Sequence, residues 1–168
     1  MIRNYILGIF TLLSISSCKQ SEEKKCFENF TYIQSNLKSS YLLKINSSDT
    51  VYYLNRYSYE LNDLHYFLLI KSEKEKINDL VCNLKFPVKD SLFLNNNITD
   101  GTTVNFSIDN KRIMLHEGEG PKEFWKFAKW MDNLITSKQL KPIKRKKASI
   151  KFDKMLELPI QTVPPIIK

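Results

Sequence analysis

The side chains with the widest chemical reach are two histidines, three cysteines and one acidic cluster. His116-Glu117-Gly118-Glu119 sets a ring nitrogen and two carboxylates in a glycine-rich stretch, a grouping that could approach a cation. A zinc site draws three or four protein ligands, and no second His or Cys lies nearby in sequence, so the stretch reads as a connector and no metal or other cofactor is expected. His65 shares a strand face with Phe67 and Leu69 and reads as a packed histidine, not a general base. Nucleophilic catalysis needs a nucleophile beside an orienting base. No Gly-x-Ser-x-Gly elbow, glycine-rich phosphate loop or His-Glu-x-x-His segment is present. The chain is therefore expected to be non-enzymatic.

The cysteines say more. Cys18 ends a stretch with a basic start at Arg3, a mostly apolar run over residues 6–15, and two small residues, Ser16 and Ser17. This is the layout of a secretory signal peptide, and the apolar run is well short of the roughly 20 residues that span a bilayer. Ile15-Ser16-Ser17-Cys18 resembles the lipobox of bacterial lipoproteins, in which the cysteine is lipidated and becomes the first mature residue. The resemblance implies a leader over 1–17, lipidation at Cys18, a polar tether over 18–26, and a membrane partner reached through that lipid anchor. Lys19 stands where an aspartate often signals inner-membrane retention, which implies the outer membrane. Ser21-Glu22-Glu23 resembles an acidic stretch that some lineages use for surface export, so the domain is expected to face either the periplasm or the surface.

In an exported chain Cys26 and Cys82 meet conditions in which disulfides persist. Two readings stand: one intramolecular bond, or free thiols, with Cys82 falling on the buried stripe of a helix as a small hydrophobe. Charge bears on partners. The net charge is +8, but residues 19–137 carry 16 basic and 16 acidic side chains, whereas 138–168 carry nine basic against Asp153 and Glu157. A neutral body is no nucleic-acid platform. The basic run Lys144, Arg145, Lys146 and Lys147 is either a solvated tail or a contact for anionic membrane or glycan.

These groups must be positioned by one domain, expected over 27–137, followed by a mostly extended basic tail over 138–168. Residues 41–45 and 50–57 alternate around the turn-forming residues 46–49 and read as a hairpin. Residues 64–70 are apolar on both faces, as in a mid-sheet strand. Ser72 and Glu75 fit a capping box ahead of the helical stripe Ile77, Leu80, Val81 and Leu84. Residues 90–101 read as a loop. Val104, Phe106 and Ile108 alternate with Thr103, Asn105 and Ser107, predicting a strand with one wet face, and a turn at Asp109-Asn110 returns it through Ile113 and Leu115. Pro121 opens a second helix with the stripe Phe124, Phe127, Ala128, Met131, Leu134 and Ile135. Trp125 and Trp130 flank that stripe; they read as core, and as the first contact surface if either is exposed.

The expected fold is thus α+β, a mostly antiparallel sheet with two amphipathic helices on one face, a two-layer sandwich. The strand–helix–hairpin–helix order over residues 40–136 is similar to small bacterial lipoprotein domains, a likeness that implies no particular activity. The expected function is a binding or accessory module for an envelope protein or glycan. The alternative is an inhibitor or immunity-type lipoprotein directed at an envelope hydrolase or toxin, for which a protruding acidic loop at 117–119 would speak.

Overall fold

Eight strands and two helices make up the described part of the computed structural model, which covers residues 25–56, 64–98, 100–109 and 111–143. The strands are β1 (Phe30–Ser35), β2 (Ser40–Ile45), β3 (Thr50–Asn55), β4 (Leu64–Leu68), β5 (Ser91–Phe93), β6 (Thr103–Ile108), β7 (Lys111–His116) and β8 (Lys141–Pro142). Helix α1 spans Lys71–Asn83 and α2 spans Lys122–Thr136. One sheet holds all eight strands in the order β5-β7-β6-β1-β2-β3-β4-β8, antiparallel except where β5 runs parallel to β7. The expected α+β two-layer architecture is what the chain adopts.

Local chemistry explains the joints. In the β2–β3 turn, Asn46 Oδ1 accepts from the backbone N–H of Ser48 at 2.9 Å and from its hydroxyl at 2.7 Å, closing an Asx turn. Asn36 does the same for Lys38 and Ser39 between β1 and β2, at 2.8 and 2.9 Å. The β6–β7 hairpin places Asp109 in the left-handed region at φ 50°, a conformation aspartate tolerates, and its carboxylate accepts from the N–H groups of Glu28 and Asn29.

One face of the sheet is lined by Phe30, Tyr32, Leu43, Ile45, Val51, Phe67, Val104, Phe106 and Leu115, and both helices pack on it. Phe106 is the hub. Its ring lies 5.2 Å from Tyr32, 5.3 Å from Phe124 and 5.6 Å from Phe127, spacings at which aromatic pairs attract. Helix α2 buries Phe124, Phe127, Ala128, Met131 and Leu134 as the spacing predicts, with Ile135 half-buried beside them.

Several expectations are corrected. The expected element order contains no counterpart of the central strand β1, and β5 occupies part of the expected loop. β4 is next to the edge and not mid-sheet, its outer side covered only by the two residues of β8. The capping box of α1 is displaced: Ile70 is the N-cap, and its N–H is taken by the Glu73 carboxylate at 2.9 Å, while Ser72 lies inside the helix. Ile70 has no side-chain oxygen to reciprocate, so only half of the box is made. Pro121 caps α2, and the helix begins at Lys122. The polar face of β6 is not wet, for Asn105 and Ser107 are buried. The domain also exceeds 27–137. Cys26 packs against the core, so it is no part of a free tether, and β8 draws 141–142 of the expected tail into the sheet.

Candidate functional site

The strongest local chemistry is at the amino-terminal root of the domain. α1 turns Val81 into the core, and the next residue, about 100° further round the helix, faces solvent. That residue is Cys82, which is exposed and not on the buried stripe. From this position it forms a disulfide with Cys26, the two Cα atoms 5.3 Å apart. The Cys26 N–H adds a bond to Asn78 Oδ1 at 3.1 Å, four residues before Cys82 on the same helix, so the strand-side chain is held to α1 at two points. An apolar cavity of about 220 Å³ opens on one side of this staple, floored by Phe27, Ile45, Leu69 and Ile77. Lys25 and Lys74 stand at its mouth, and Lys74 is paired with Asp49 at 2.8 Å. On the other side Lys25, Lys85 and Lys111 line a more open depression together with Cys26 and Cys82.

A second cluster had no sign in the sequence. Tyr32 on β1, Tyr41 on β2 and Gln34 on β1 converge on Asp132 of α2. The Tyr32 hydroxyl donates to Asp132 Oδ1 at 3.3 Å, and the Tyr41 hydroxyl donates to the same oxygen. With its amide turned so that nitrogen faces the carboxylate, Gln34 donates to both Asp132 oxygens at 2.6 and 3.0 Å. The group fastens helix to sheet through one acceptor that all three donors share. Burial pushes both phenol pKa values upward, and the neighbouring carboxylate, together with the other phenol for Tyr41, adds to the rise. In the unfolded chain these phenols titrate near 10. Their raised folded values mean the contribution is fully present below about pH 10 and is lost as pH climbs above it. In an alkaline titration the phenolate absorbance of Tyr32 and Tyr41 is expected to emerge together with the loss of far-ultraviolet ellipticity. Its emergence while the fold remains intact would count against the cluster.

Other foreseen residues are placed as follows. Trp125 and Trp130 are half-buried against the core; the Trp125 indole N–H donates to Glu119 O at 2.7 Å, and Trp130 packs on Phe127 at 6.3 Å. Neither stands out as a contact platform. Lys144, Arg145, Lys146 and Lys147 lie outside the described residues, as does Cys18. His65 meets Tyr53 edge-on at 6.2 Å on the helix-covered face. His116 is buried, Glu117 folds back so that its carboxylate accepts from Thr102 N–H at 2.6 Å, and Gly118 and Gly120 take φ of 80° and 84°. This is a tight left-handed connector, which a side chain at Gly120 would also obstruct by meeting Leu115 at 2.5 Å. Among the described residues no three His, Cys, Asp or Glu side chains group as metal ligands. Nor is any helix among them long and apolar enough to cross a membrane.

Compared with protein-family models, with curated proteins and with solved structures, the chain finds no match in any of the three.

Proposed function

We propose that this chain is a membrane-anchored, non-enzymatic lipoprotein of the bacterial envelope, held at the outer membrane through a lipid on Cys18 and acting as a binding or accessory module. The observation that carries the reading is the Cys26–Cys82 disulfide, eight residues after the cysteine of the lipobox-like segment. Structural disulfides persist in oxidising compartments and are rare in the cytosol, so the cross-link and the leader-like start agree on export. The staple also gives the anchor a mechanical sense. The seven residues 19–25 reach at most about 25 Å, so the end of the domain carrying Cys26 and Cys82 stays close to the bilayer. The sheet edges and α2 are left to meet an envelope protein or a glycan.

Cys18→Ala is expected to move the protein from the membrane fraction to the soluble fraction of lysed cells, with the Cys26–Cys82 bond intact by non-reducing peptide mapping. Retention of the variant in the membrane fraction would overturn the anchoring. Protease treatment of intact cells then assigns the domain to the surface, where it is cleaved, or to the periplasm, where it is protected.

A further inference from the structure

The apolar cavity beside the Cys26–Cys82 staple is held open from two sides. Lys74, Ile77 and Asn78 line it from α1, at the i, i+3 and i+4 spacing that shares one helix face. Phe27 lines it next to the staple, and Asn46 and Ser47 line it from the β2–β3 turn. The disulfide fixes residue 26 to α1, and the Lys74 ammonium donates to Asp49 Oδ1 at 2.8 Å, tying the far end of that turn to the same helix. The Leu69 N–H donates to Asp49 O, also at 2.8 Å, so the exit from β4 belongs to the same frame. With its walls pinned in this way, the floor of Phe27, Ile45, Leu69 and Ile77 cannot collapse to fill the space.

Size and charge then define what fits. An apolar cavity of about 150 Å³ stays dry and takes up benzene, so the cavity of about 220 Å³ has room for roughly eight carbons. A two-chain lipid exceeds that space. The mouth selects the sign of charge. No acidic side chain lines it, and the nearby Asp49 is already engaged by Lys74. Lys25 is exposed and has no ion-pair partner among the described residues. An apolar floor beneath a single placed charge is the ordinary design of a small-molecule site.

We propose that this cavity binds a single-chain carboxylate of about eight carbons, its tail on the apolar floor and its carboxylate paired with Lys25. The site goes beyond the accessory-module reading and does not need the lipid anchor.

Octanoate is the probe, titrated into full-length Cys18→Ala protein so that no detergent competes, with the methyl resonances of Ile45, Leu69 and Ile77 as the readout. The three are expected to shift together and to saturate. Affinity should rise about fourfold with each methylene from butyrate to octanoate and level off by dodecanoate. Octylammonium, with the same tail, should bind about tenfold more weakly, and Lys25→Glu should reverse that preference. Lys25 is exposed, so the fold is not at stake in that variant. Four results overturn the proposal. Absence of shifts at these three methyls in millimolar octanoate means that the cavity takes no such ligand. Equal binding of octanoate and octylammonium makes it an apolar hole with no choice of charge. Affinity that keeps rising to hexadecanoate places the tail somewhere longer than the cavity. Shifts in Cys18→Ala protein that lipidated protein in bilayer discs does not show give the cavity to the chain's own acyl group. None of these bears on the fractionation of Cys18→Ala, which tests the anchor separately.

Discussion

Replacing Cys26 and Cys82 together by serine is expected to lower the unfolding free energy by about 4 kcal/mol, because the cross-link closes a long loop in the unfolded chain. The two residues are 56 apart in sequence, and the entropy removed by a loop of that length is what the bond contributes. Native packing should change little, since Cys82 is exposed and Cys26 keeps its N–H bond to Asn78. Urea denaturation of oxidised, reduced and doubly substituted protein checks this. The reduced and substituted forms should share one midpoint well below that of the oxidised form. Equal midpoints for all three would mean that the loop is already constrained before the bond forms. A single Cys82→Ser change should give the same loss, with the added exposure of one free thiol at Cys26.

Phe106→Ala is expected to cost as much, about 3–5 kcal/mol, through loss of buried surface and the cavity left behind. The ring is fully buried and touches residues of β1 and α2 together, so no single neighbour can move in to fill the space. Thermal unfolding followed by near-ultraviolet ellipticity is the measurement, since the tyrosine and phenylalanine signals report the same cluster. Phe106→Leu keeps most of the volume and should recover more than half of the loss. A loss under 1 kcal/mol for the alanine variant would show that the aromatic cluster repacks freely.

How much of this was legible depends on how local each signal is. The two helices and the β2–β3 and β6–β7 hairpins are readable because each stripe or turn lies within a few residues of sequence, whereas the helix starts shift by one or two residues from the expected caps. β1 is not readable in this way, since its partners are set by β2 on one side and by β6, some 75 residues later, on the other. β5 has three residues in an asparagine-rich stretch, and only its pairing with β7 makes it a strand. Asn105 and Ser107 read as a wet face because alternation shows which side chains share a face and is silent on what lies over it. The sequence leaves the disulfide open for a similar reason: a one-residue error in helical phase turns Cys82 from the core to solvent. The Tyr32–Tyr41–Asp132 group required β1 to be next to β2 under α2, a fact of tertiary structure.

The position of β1 also dictates the order in which the molecule can be assembled. β1 and β2 are joined by four residues and can meet within microseconds of being available. The other edge of β1 must wait for β6, and closing that much larger loop is slow for entropic reasons. Until then Phe30 and Tyr32 have neither Phe106 beside them nor Phe127 above, and one edge of the hairpin offers unpaired backbone to any passing strand. A chain that emerges amino terminus first is therefore vulnerable for about 75 residues of growth, from the end of β1 to the end of β6. The centre of the sheet is secured only after the β2–β3–β4 side of it has been made.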